Sequence, residues 1–177
     1  LPVDFVREMA FDKASLEVEA RYRRCAVQWS PHLERTRAAI LGAARMAQGR
    51  RKAVVMGAGL LHDIPLAELA GLFEEVVLVD VVHSRPCLLR AAIFSNVRCL
   101  QADVTGTALH LLQARRTGGP LPKIEPDLFQ EDATVDFTVS VNLLSQIGCA
   151  PSTFLAASHP RDEIRAFQRQ LIEAHLG

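Results

Sequence analysis

Three short apolar runs recur in the middle of the chain at one fixed spacing, and that spacing leaves few folds open. Ala53-Val54-Val55-Met56 runs into Gly57, Val76-Val77-Leu78-Val79 ends at Asp80, and Val97 to Leu100 leads into Gln101-Ala102-Asp103. Gly57 to Asp80 and Asp80 to Asp103 are both 23 residues apart, one strand-helix unit each. Unbroken apolar runs of this length fit strands covered on both faces. Strands that alternate with helices imply parallel pairing through right-handed crossovers. The three positions should therefore line one edge of a single sheet.

The segments between and around the runs read as helices. Asp63 to Leu72 and Ser84 to Phe94 each place a proline, Pro65 and Pro86, in the first turn, where its missing N–H costs nothing. Thr105 or Thr107 could cap a helix running to about Arg115. Thr117 to Ala133 is an irregular connection of a length that usually carries function or motion. A fourth strand is expected over Val135 to Val141, and a helix over Arg161 to Leu176 with Ile164, Phe167, Leu171 and Ile172 on one stripe. Ahead of the strands, Ser15 to Gln48 is rich in Ala, Leu, Arg and Glu, with Leu16, Ala20, Ile40, Leu41, Ala44 and Met46 at helical spacing. Ser30-Pro31 predicts a break there into two helices. The expected class is α/β and Rossmann-like: a mostly parallel sheet of about four or more strands flanked by helices. Residues 1–50 form a helical N-terminal extension, and 51–177 form the ligand-binding domain of a single globular unit.

Composition narrows the partners. The chain has 177 residues, 49% of them hydrophobic and 23% charged, far from the disordered corner. Lys plus Arg and Asp plus Glu are 20 each, so no overall field favours nucleic acid or an anionic membrane. Arg50-Arg51-Lys52 and Arg115-Arg116 have no interleaved aromatics to stack bases. No apolar stretch reaches the ~18 residues of a membrane span, and no basic-then-apolar leader opens the chain. A cytoplasmic protein is expected. The start at Leu1 rather than Met fits a piece of something longer. Cys25, Cys87, Cys99 and Cys149 include no C-x-x-C pair, so no metal site is expected; Cys99 and Cys149, in or beside apolar runs, should be buried and inert.

The residues able to carry chemistry sit at the strand ends. Gly57-Ala58-Gly59 lets a tight turn form after a buried strand and lets a ligand approach the backbone, although glycines also serve plain turns. Asp80 stands where a nucleoside site places a carboxylate for two ribose hydroxyls, or where a helix could be capped. Asp103 could meet an adenine amino group or cap the helix after it. His83 would overhang such a pocket as a wall. His62-Asp63 reads as a titrating imidazole beside the ligand, or as a surface His with an N-cap Asp.

This arrangement resembles the class I S-adenosylmethionine-dependent methyltransferases over about residues 53 to 145. The resemblance implies that Met56-Gly57-Ala58-Gly59 faces the methionine part of S-adenosylmethionine, that Asp80 holds the ribose and that Asp103 faces adenine. It also implies that Val135 to Asn142 supplies the polar mouth, with Ser140 beside the cofactor and Ser140, Asn142 or Ser145 positioning the acceptor, Asn142 being the catalytic candidate; these polar residues read equally as a strand end and a helix cap. Three features depart from the family: Val55 stands where an acid is usual, Leu61 where a third glycine is usual, and the chain has room for four strands instead of seven. Either the chain is truncated or later strands were lost. The expected function is methyl transfer to a small molecule. A non-catalytic methyltransferase-like scaffold is one alternative. A nicotinamide-dependent oxidoreductase is another, weakened because Gly57 to His62 does not complete G-x-G-x-x-G. An unpaired sheet edge would make a homodimer one way to cover it.

Overall fold

The computed structural model describes residues 3–176, with side chains from Val6 onward. The elements in order are α1 (Val3–Glu8), α2 (Phe11–Met46), β1 (Lys52–Met56), α3 (Leu66–Leu72), β2 (Glu75–Asp80), α4 (Arg85–Ala91), β3 (Val97–Gln101), α5 (Ala108–Thr117), β4 (Val135–Ser140), α6 (Cys149–Leu155) and α7 (Arg161–Leu176). The four strands form one all-parallel sheet in the order β3-β2-β1-β4, flanked by helices, which makes this an α/β fold. Among the described residues no helix is long and apolar enough to cross a membrane. The chain divides into two compact units. One comprises Asp12–Ala102 and Glu131–Val141 and so holds the whole sheet; the other holds α1, Asp103–Gln130 and the chain from Asn142 onward.

In the sheet unit, the apolar runs occupy the two inner strands. Val54, Val55, Val76, Val77, Leu78 and Val79 are all fully buried, each side chain contributing roughly 1.5–3 kcal/mol relative to exposure. The edge strands β3 and β4 are only partly covered. Ile40 and Ala44 of α2, Leu66 and Leu69 of α3, and Cys87 and Ala91 of α4 join Val55, Val76 and Leu78 in one core cluster. Ser84 caps α4, its Oγ accepting the Cys87 N–H at 3.3 Å.

The N-terminal region keeps the expected pair of helices within α2, but the break between them is not at Ser30-Pro31. The distortion falls at Cys25 (φ −115°, ψ 15°), and Pro31 lies inside the helix beyond it. Proline lacks the N–H that would bond the Val27 carbonyl, yet the helix continues through Pro31. Ser30 does not act as a cap; its Oγ donates to Glu34 at 2.8 Å. Leu16 and Met46, expected on the apolar face, are exposed, whereas Ile40 and Ala44 are buried.

In the other unit, α5 contacts α6, and α6 contacts α7. Leu111, Phe154, Leu155, Ile164, Phe167 and Leu171 are buried there, and the Arg115 guanidinium lies 4.2 Å from the Phe154 ring centroid. Helix α7 has the span that its periodicity predicts, with Ile164, Phe167 and Leu171 of the stripe buried and Ile172 half-buried. Helix α6 was not anticipated, since its proline at Pro151 and its short length leave little periodicity to read.

Ion pairs tie the N-terminal ends of all four strands together. Arg98 of β3 bonds Glu75 of β2; Lys52 of β1 reaches Glu75 at 3.3 Å and Asp132, just ahead of β4, at 2.6 Å. Asp136 is the extra residue where the β1–β4 register shifts, Lys52 pairing with Val135 and Ala53 with Phe137. The bulge turns its carboxylate onto Arg51, accepting from the backbone N–H at 2.8 Å and from Nε at 3.0 Å. Arg98 holds the Glu75 carboxyl below the usual range, Lys52 does so for Asp132 and Arg51 for Asp136. Depressed folded values make this stabilisation complete above the unfolded-chain value of about 4 and lost as pH falls through the folded values. The urea unfolding midpoint should thus stay level from about pH 7 to 5 and drop below about pH 4. Lys52→Met should lower the neutral midpoint and flatten that acid fall, whereas an unchanged acid profile in this variant would show that these pairs do not set it.

Candidate functional site

The C-terminal ends of the strands carry the expected site residues of the sheet unit. Strand order reverses at β1: the chain leaves β1 toward β2, while β4 pairs on the other side. Such a reversal opens a crevice outside the carboxyl ends of the strands. Gly57-Ala58-Gly59 follows β1 at that place, and Ser140 pairs with Met56 at the end of β4. The Val141 N–H continues the pairing by donating to the Met56 carbonyl at 2.9 Å.

The glycine turn is fastened to β2. The N–H groups of Gly57 and Ala58 donate to the Val79 carbonyl at 2.9 and 3.1 Å, and the Gly59 N–H donates to Asp80 Oδ2 at 2.7 Å. Gly57 (φ 76°) and Gly59 (φ 49°) take left-handed backbone conformations that favour glycine. So does Leu61 (φ 61°), at a cost of roughly 1–2 kcal/mol for an L side chain. Its side chain is fully buried in the core cluster, and burial worth roughly 1.5–3 kcal/mol offsets that strain. Leu61 therefore keeps the backbone shape of a glycine position while filling the core.

Asp80 does not cap α4, a role Ser84 fills. Its Oδ1 accepts the Val82 N–H at 3.3 Å, so the carboxylate accepts two backbone bonds where about four lone-pair sites exist. The register sets Asp80 opposite Gln101 of β3, whose side-chain amide donates to the Val81 carbonyl at 2.9 Å. His83 lies past the end of β2 with Nε2 3.0 Å from the Leu100 carbonyl and Nδ1 3.8 Å from Cys87 Sγ. Burial pushes the Cys87 thiol up to about 12 and also raises that of Cys99.

Asp103 and Asn142 belong to the other unit. The Asp103 carboxylate accepts four bonds from its own loop. Oδ1 takes the Thr105 N–H at 2.9 Å and the Thr105 hydroxyl at 2.7 Å; Oδ2 takes the N–H groups of Thr107 and Ala108 at 2.9 and 2.8 Å. It thereby supplies the cap of α5 that was expected of Thr105 or Thr107; Thr107, at the cap position, makes no side-chain cap bond. Asn142 has a left-handed backbone (φ 58°), which asparagine tolerates better than most residues, and its carbonyl accepts the Ser145 hydroxyl at 3.2 Å.

His62 is not a bare surface residue: its ring stacks on Tyr22 at 3.6 Å and its Nε2 lies 3.3 Å from Glu19. Asp63 does not cap α3, because that helix begins only at Leu66, after Pro65. Cys149 is exposed at the start of α6 and Cys99 is half-buried, whereas Cys87, on the core side of α4, is fully buried. The pattern of apolar neighbours did not reveal which face each cysteine would take. Two shallow depressions of about 340 and 410 Å³ are lined by Lys123 and Gln170 and by Arg37, Pro65 and Arg90, and neither is lined by Gly57, Gly59 or Asp80.

No family model, curated protein or solved structure matches the chain.

The four bonds accepted by Asp103 give a direct test of its structural role. Asp103→Ala should destabilise the protein by about 0.5–2 kcal/mol in urea titration, the range for loss of a helix N-cap. A change within a few tenths of a kcal/mol would show that the cap is dispensable.

Proposed function

We propose that the sheet unit is a Rossmann-like domain that binds S-adenosylmethionine and serves methyl transfer to a small-molecule acceptor. The observation that carries this reading is the junction of the glycine turn with Asp80, Gly59 N–H to Asp80 Oδ2 at 2.7 Å, beside the strand-order reversal. The turn and the acid that the methyltransferase resemblance assigns to one ligand thus meet within one unit. The remaining acceptor capacity of the Asp80 carboxylate suits a pair of ribose hydroxyls. The left-handed backbone at Leu61 supports the same reading, because the loop keeps the conformation that a third glycine would take.

The dinucleotide alternative fits less well. A pyrophosphate is held by unpaired N–H groups at a helix N-terminus directly after the glycine turn. Here the N–H groups of Gly57 and Ala58 are spent on Val79, and α3 begins only at Leu66.

Bound S-adenosylmethionine would supply a methyl group on a sulfonium, which transfers by in-line displacement without activation of the leaving group. The protein's share is then to bind and align. In this reading Gly57, Ala58 and Gly59 give the ligand close access to backbone, Asp80 fixes the ribose, His83 walls the adenosine side and Ser140 lines the mouth. Asp103 and Asn142 stay with the resemblance, and the proposal does not rest on them.

Calorimetric titration with S-adenosylhomocysteine should give binding of micromolar strength, abolished in Asp80→Ala while that variant keeps its far-ultraviolet circular dichroism. No heat of binding at millimolar ligand would overturn the reading in favour of a non-catalytic scaffold.

A further inference from the structure

His83, Cys87 and Cys99 come from three successive elements, the loop after β2, the first turn of α4 and the middle of β3, yet their donor atoms all lie within 4.8 Å of one another. We propose that these three side chains form a binding site for a thiophilic transition-metal ion, with Zn²⁺ the ion that the donor set favours.

The donor set is one imidazole nitrogen and two cysteine sulfurs, a combination found in zinc sites that keep a fourth position open. A tetrahedral Zn²⁺, with Zn–S about 2.3 Å and Zn–N about 2.0–2.1 Å, holds its ligand atoms roughly 3.3–3.8 Å apart. The His83 Nδ1 to Cys87 Sγ separation, 3.8 Å, already meets that requirement. No separation exceeds 4.8 Å, so closing to tetrahedral geometry needs a contraction of at most about 1–1.5 Å.

An independent feature is the far side of the imidazole. A carbonyl only accepts, so the 3.0 Å contact with Leu100 requires that His83 Nε2 carry the proton. The neutral ring then presents the lone pair of Nδ1 toward Cys87. A metal-ligating histidine donates its other N–H to a carbonyl or carboxylate in this manner, which fixes tautomer and ring orientation before the ion arrives. The Ser84 cap, bonded to Cys87 N–H, holds the first turn of α4 that carries the second ligand. Access comes from the half-buried side, where His83 and Cys99 are partly exposed while Cys87 is fully buried. On binding, both thiols give their protons to solvent, and two thiolates with a neutral imidazole balance the charge of the ion. The remaining position is left for water or another donor. The site uses no contact of the methyltransferase reading except the placement of His83, and either can fail alone.

The test is titration of the reduced full chain with Co²⁺ as a spectroscopic substitute, in a thiol-free reductant, followed by competition with Zn²⁺. One Co²⁺ per chain should produce thiolate-to-cobalt charge-transfer absorption that Zn²⁺ abolishes. Cys99→Ser and His83→Gln, checked for unchanged circular dichroism, should each weaken binding by more than the roughly 10–100-fold typical of outer-shell changes. The double substitution Cys25→Ser with Cys149→Ser should leave it intact. Absence of the charge-transfer band, or a band that survives Cys99→Ser and disappears with Cys25 and Cys149, would overturn the proposal. Binding of S-adenosylhomocysteine, measured separately, reports on the other reading.

Discussion

The parallel pairing of β1 with β2 on one side and β4 on the other is the constraint on which the sheet unit depends. Parallel strands cannot be joined by tight hairpins, so each crossover must travel back over a face, and the strands between crossovers are buried on both sides. That is why β1 and β2 tolerate nothing but Ala, Val, Leu and Met in their interiors, while the edge strands admit Arg98, Thr138 and Ser140. The same pairing fixes the end of β1 from both directions. Val79 accepts two N–H groups of the glycine turn, and Met56 receives the Val141 N–H. The turn is therefore held by backbone bonds on both sides.

Much of this was legible because the signals were local. Four-residue apolar runs marked β1, β2 and β3 to within a residue or so, and Ser84 with Pro86 marked the start of α4. Signals that depend on tertiary partners were hidden. The bend at Cys25 lies six residues from the proline that accompanies it, and His62 looked exposed because Tyr22, forty residues earlier, is the ring it stacks on. Leu61 looked like the loss of a glycine. In the structure its backbone is left-handed all the same, held by burial that sequence propensity does not register. The capping role of Asp103 needed only its own loop and was open to the sequence as one of two readings.

The convergence of His83, Cys87 and Cys99 shows why spacing alone failed to reveal a cluster. Its intervals match no contiguous metal motif. What unites the residues is register: Leu78 pairs with Cys99 across β2 and β3, while the turn around Ser84 folds Cys87 back beneath His83. A rule that counts cysteines along the chain sees four isolated thiols; a rule that lays the 23-residue repeat side by side would bring Cys99 level with the strand that His83 follows.

The two ends of the sheet also divide the charged residues by role. At the N-terminal ends Glu75, Asp132 and Asp136 each bond a Lys or Arg, and their depressed titration reflects that compensation. At the C-terminal ends Asp80 bonds backbone N–H groups, and among the described residues it forms no ion pair. A carboxylate matched by a cation gains little from a new hydroxyl donor, since its lone pairs and its charge are both satisfied. One held by two amides keeps its charge and acceptor capacity for a neutral ligand. The sheet thus concentrates its ion pairs at the end opposite the glycine turn, and the carboxylate at the turn is not among those they engage.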